Sequence, residues 1–177
     1  MRALPVVAAF TGAVTAALAL TACGDGGGGG GTTHKTATSS ACHVNEVGIH
    51  VGPANTAPAA GDTGNVPVTL TNVNSRTCTL EGFPGIEMQA GGSSWTLTPE
   101  KGAKAQKLTL KKDESATFTV TYVRGETGAK GAAVKTMRIS LPGHPDTKGW
   151  KWTYGNVARQ TADVLNASVS SFQMAGD

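Results

Sequence analysis

The sequence is poor in charge, in cysteine and in helical periodicity. Charged residues make up only 15% of the 177-residue chain, and the formal net charge is +3. So small a surplus gives no reason to expect nucleic acid or any strongly anionic partner. No long stretch repeats apolar residues at helical spacing, which argues against a bundle. Phosphate-loop and dinucleotide signatures are missing. The Gly26 to Gly31 run precedes neither a helix nor a lysine-serine pair, so it cradles no phosphate. There is no nucleophile-elbow sequence either. Hydrolytic chemistry needs a nucleophile, a base and an orienting group brought together. Here His43, His50 and His144 are scattered, and Asp62, Asp113, Asp146 and Asp163 sit in turn-like surroundings. Glu81 and Glu87 qualify as paired carboxylates by type alone. Met88, Met137 and Met174 are widely spaced and read as core filling rather than as a copper site. No enzyme activity, cofactor or metal is expected.

What is present begins at the N-terminus. Arg2 is followed by an uncharged, alanine- and threonine-rich apolar stretch broken by Pro5 and Gly12. This suits an export signal better than a permanent transmembrane helix. It closes on Leu20-Thr21-Ala22-Cys23. Small side chains admit a signal peptidase, and the following thiol receives diacylglycerol. Residues 1–22 are therefore expected to be a lipoprotein signal peptide and Cys23 the lipidation site. An ordinary secretory peptide with a coincidental cysteine is the alternative. Acyl chains on Cys23 would anchor the protein to the extracytoplasmic face of the cell membrane. Losing Arg2 with the signal lowers the net charge from +3 to +2. Residues 23–40 are mostly glycine, threonine and serine, with no apolar periodicity, so a flexible tether is expected there. Its root-mean-square reach is about 25 Å, at roughly 5–6 Å per square-root residue.

The count of three cysteines is odd for an exported protein, and lipidation of Cys23 resolves it. Cys42 and Cys78 remain, and outside the cytoplasm they are expected to pair. The competing reading is a thiolate pair that binds a metal together with His43. Cys42 and His43 are neighbours, however, and point to opposite faces of a strand.

Residues 41–177 form the expected globular domain. Short alternating segments recur between glycine, proline or polar turns. They include Val44 to Val51, Val66 to Val73, Thr77 to Leu80 and Ile86 to Ala90. Gly91-Gly92 reads as a hairpin loop before Trp95 and Leu97. Leu108 and Leu110 precede a charged turn. Ala116, Phe118, Val120 and Tyr122 then give the cleanest period-two pattern in the chain. Val134 to Leu141 and Val164 to Phe172 add two more strands. A weak helical spacing at Val157, Ala158, Thr161 and Ala162 predicts a short helix within Gly155 to Asp163. Eight to ten strands arranged as two packed antiparallel sheets are the expected result, with a small barrel as the alternative.

Trp150, Trp152 and Tyr154 are expected on one face of a further strand, flanked by Lys148 and Lys151. Exposed, such rings stack on sugars or anchor a protein partner. Buried, they pack against the opposing sheet, and exposure of at least two rings decides for the binding face. The expected role is non-catalytic binding or scaffolding in the envelope, with a protein or glycan partner. Binding of a small ligand or metal ion, or envelope catalysis, are the alternatives.

The run from Pro67 to Gly85, with Asn72, Asn74, Cys78, Leu80, Gly82, Phe83 and Pro84, resembles the actinobacterial family called domain of unknown function 4232. The resemblance spans about Ala41 to Leu141. It implies a secreted protein or lipoprotein with an immunoglobulin-like antiparallel β-sandwich, and it implies no chemistry. Many members resembling this family carry further cysteines toward the C-terminus, and this chain has none after Cys78.

Overall fold

The computed structural model describes residues 40–176. The expected signal peptide, Cys23 and the tether up to Ser39 lie outside the described residues. The described chain is all-β, with fifteen strand segments in four sheets.

The largest sheet has six strands. Its order is β2 (Val47–Val51), β3 (Thr63–Asn72), β9 (Ser115–Val123), β14 (Ala167–Val169) and β7 (Thr98–Pro99), with β15 (Gln173–Met174) also on β9. β3 and β9 pair antiparallel from Thr63↔Val123 to Thr71↔Ser115. Both alternate strictly, as a sheet with one packed face requires. Val66, Val68 and Leu70 point inward opposite Val120, Phe118 and Ala116.

A four-stranded sheet runs β12 (Thr147–Lys151), β11 (Thr136–Ser140), β5 (Gly85–Ala90) and β6 (Ser93–Thr96). Gly91 and Gly92 close the β5–β6 hairpin, both at positive φ (55° and 86°). A two-residue hairpin needs that conformation, and glycine adopts it without a steric penalty. A third sheet joins β1 (Ser40–Ala41), β4 (Cys78–Gly82) and β8 (Gln106–Leu110), so Ser40 belongs to a strand and not to the tether. The fourth is a ribbon of β10 (Gly131–Ala132) and β13 (Val157–Ala158). One hydrophobic cluster draws side chains from all four sheets, including Phe118, Ile86, Leu110 and Val157.

Two expectations are corrected. The segment expected to hold a short helix contains β13 instead. A Cβ on Gly125 would lie 2.8 Å from the backbone of Val157 and Ala158, so the missing side chain admits an extended strand there. Backbone pairing across that close approach outweighs a weak helical spacing. Second, the pairing is not wholly antiparallel. β1–β4 and β14–β7 are parallel. Each is only two residues long and joins segments far apart in sequence, which a long connection permits.

The segment around Cys78 is explained by local bonding. Asn72 is fully buried at the end of β3. Its Nδ2 donates to the carbonyls of Arg76 and Leu110 at 2.8 and 2.9 Å, and its Oδ1 accepts from the Asn74 backbone at 3.0 Å. Asn74 Oδ1 accepts in turn from the Arg76 backbone. The buried amide is thereby satisfied, and the turn is delivered to β4 in register with Leu110.

Candidate functional site

The three aromatic residues do not share a strand face. β12 ends at Lys151, so Trp152 and Tyr154 lie beyond it. Trp150 is half-buried opposite Met137 on the core-facing side, with Lys148 Nζ 5.7 Å from its ring centre. Trp152 is only 4% exposed. Its backbone N–H donates to the Lys135 carbonyl and its indole N–H donates to the Gly155 carbonyl at 2.7 Å. The ring sits edge-on between Tyr122 and Tyr154, at 5.0 and 4.9 Å. The Tyr122 hydroxyl donates to the Tyr154 carbonyl and accepts from the Ala57 N–H. Burial, and secondarily the neighbouring Tyr122, hold the Tyr154 phenol above its ordinary pKa of 10.0. None of the three side chains is exposed. The buried alternative holds: Trp152 and Tyr154 join Tyr122 in a packing cluster that locks β9 to the 152–155 turn. Alternate spacing alone cannot say which side of such a run the core takes.

The cysteine pairing is settled. Cys42 and Cys78 form a disulfide, with Cα atoms 4.9 Å apart. Neither sulfur is a thiolate, so the alternative metal pair with His43 falls. His43 instead stacks on His144 at 3.4 Å between ring centres, and its Nδ1 lies 4.0 Å from Asp146 Oδ2. Glu81 and Glu87 stand in different sheets, and Glu81 pairs with Lys107 at 2.9 Å. Asp62 accepts from the Ala59 backbone, as a turn residue does.

The outward half of the same alternation was not singled out from sequence, and it builds a more distinctive surface. On β9 the outward residues are Ser115, Thr117, Thr119 and Thr121; on β3 they include Thr69 and Thr71. Register sets Thr69 opposite Thr117 and Thr71 opposite Ser115. All six are half-buried. Thr71 and Ser115 share a hydroxyl–hydroxyl bond of 2.7 Å. Thr121 Oγ1 lies 3.0 Å from both Asn65 Oδ1 and Glu100 Oε1, and its single hydroxyl proton is shared between these two acceptors. The hydroxyls of Thr69, Thr117 and Thr119 make no side-chain hydrogen bond among the described residues. The signal was the Thr-x-Thr-x-Thr run at 117–121 beside Thr-x-Thr at 69–71. It lies between the apolar residues that mark the strands.

Among curated proteins none matches the chain. The stretch that carried the sequence resemblance is the one that forms β4, the Asn72 bonds and the disulfide, and its pattern extends well beyond them. Residues 42–173 match the model of the family described as Domain of unknown function (DUF4232), and the chain belongs to that family.

Proposed function

We propose that the protein is a lipid-anchored, non-catalytic binding domain of the bacterial envelope, and that its hydroxylated sheet face contacts a glycan. In this reading the strands make an immunoglobulin-like sandwich. Cys23 carries the lipid, and the residues from Cys23 up to Ser39 tether the domain to the extracytoplasmic face of the membrane. One shared hydrophobic cluster beneath all four sheets supports the sandwich.

The observation that carries the proposal is the threonine–serine face of β3 and β9. Its hydroxyls recur about 6.7 Å apart along each strand and about 4.8 Å between strands, by ordinary sheet geometry. A flat lattice of donors and acceptors suits sugar hydroxyls. Protein hot spots draw instead on tryptophan, tyrosine and arginine, and the six residues of this face include none of them.

Co-sedimentation of the full chain with purified cell-wall glycan tests this reading. The Thr69→Val/Thr117→Val/Thr119→Val variant keeps side-chain shape and strand propensity. It should bind at least about fivefold more weakly, as the loss of two or three hydrogen bonds near 0.5–1.5 kcal/mol each implies. Unchanged sedimentation of a folded variant would refute the face. For the anchor, Cys23→Ser should abolish incorporation of labelled palmitate and move the protein from the membrane to the soluble fraction. Continued labelling would place the lipid elsewhere.

A further inference from the structure

We propose that Arg159 is the centre of a second site, which binds a small molecule through a carboxylate or phosphate group. The backbone of Arg159 is fixed on two sides. Its N–H donates to the Lys130 carbonyl at 2.9 Å, extending the β10–β13 ribbon, and it bridges antiparallel to Leu165. Its guanidinium lies 4.9 Å over the ring centre of Trp95. Trp95 is itself immobilised: it is 4% exposed, and its indole N–H donates to the Ala162 carbonyl at 3.0 Å. The planar cation is thus held in one orientation before any ligand arrives.

What is missing around it is an acceptor. Arg76 donates to Glu46, Arg124 to the Ala57 carbonyl and Arg138 to Thr147. The Arg159 side chain has no hydrogen-bond acceptor among the described residues, and its Nε is buried. An unsatisfied buried donor on a charged group is costly and rare, and functional sites are where such groups persist.

Arg159 lines an open surface depression of about 520 Å³ with Lys130, Gln160 and Thr161, flanked by Ala129 and Ala162. That volume lies within the range for small-ligand pockets. Lys130 supplies a second positive charge. Its contact with Glu126 Oε2 is long, at 3.9 Å, and both side chains are exposed, so the ammonium is available. Gln160 Nε2 leans on Asn166 Oδ1 at 3.3 Å. Asp163, on the same loop, is exposed and outside the lining.

A rigid guanidinium fork beside a lysine matches a carboxylate or a phosphate, each of which presents two oxygens to a planar donor pair. The hydroxyl of Thr161 and the amide of Gln160 suit the neutral part of the same molecule. None of these residues belongs to the threonine–serine face, and the site stands whether or not that face binds glycan.

The test uses the full chain in a mild nonionic detergent, labelled with ¹⁵N-arginine. Its five arginines give a small set of Nε–Hε signals, and Arg159→Lys identifies one by its loss. Sodium phosphate and sodium acetate are titrated separately against sodium chloride at matched ionic strength. Saturable movement of the Arg159 signal by either anion, with Arg76 and Arg138 unmoved, supports the site. The anion that saturates at lower concentration tells whether phosphate or carboxylate is preferred. Lys130→Ala should raise the half-saturation concentration by up to about fivefold, the upper end for one exposed charge. The proposal is overturned if the Arg159 signal follows Arg76 and Arg138, or if neither anion moves it beyond chloride.

Discussion

Removing the disulfide as Cys42→Ala/Cys78→Ala should lower unfolding stability by about 4 kcal/mol, as the chain-entropy relation gives for a loop of this length. The bond joins positions 36 apart in sequence, and the loop it closes contains all of β2 and β3. The unfolded chain is therefore restricted over its longest early segment. In the folded state the bond sits beside strand contacts that survive without it: Cys78 pairs with Leu110, and the Cys42 N–H donates to the Thr79 carbonyl. The loss should accordingly fall mainly on the unfolded side of the balance. Urea titrations of oxidised wild type and the double variant should show a lower midpoint for the variant. They should also show a steeper slope, because its denatured state is more expanded. A difference below about 1 kcal/mol would mean that the closed loop contributes far less than its length predicts.

Trp152→Ala should be nearly as damaging, at about 3–5 kcal/mol for a buried aromatic cut to a methyl group. The substitution removes a 4%-exposed ring, two edge-to-face contacts and the bond to the Gly155 carbonyl. It also opens a cavity against Tyr122, a fully buried side chain near the C-terminal end of β9. Trp150→Ala is the control. That ring is half-buried at the rim of the core, so its loss should cost less than half as much. Thermal melts of the two variants side by side measure the contrast. Equal, small effects would restore Trp152 to the surface and revive the aromatic face.

The legible part of this fold is the part written in period two. Ala116, Phe118, Val120 and Tyr122 could be read as one side of a strand, because one packed face selects every second residue. The pairing of Cys42 with Cys78 followed from their number and from the expectation of an export signal. The asparagine turn was legible too, because Asn72 and Asn74 bond within a few residues of themselves. What stayed hidden depends on contacts between distant segments. Nothing near Val157 and Ala158 announces that Gly131 and Ala132 will pair with them and suppress a helix. Nothing in Trp-x-Trp-x-Tyr says that Tyr122 will claim the middle ring. Arg159 over Trp95 joins residues more than sixty positions apart, and no local pattern encodes it. The threonine rows were visible but served only to mark strands.

The disulfide also decides how the domain meets mechanical load. A pull on the chain ahead of Ser40 enters through β1 and reaches Cys42 at once. From there the covalent path crosses the sulfur bridge to Cys78, the first residue of β4. The intervening segment, with β2 and β3, hangs off that path as a slack side loop. Tension from the N-terminal side therefore bypasses the two strands that begin the six-stranded sheet. It is delivered instead to β4, which is gripped on one side by β8 and on the other by β1. Reduction of one bond would reroute the same force through β2 and β3 and let the sheet unravel from its edge.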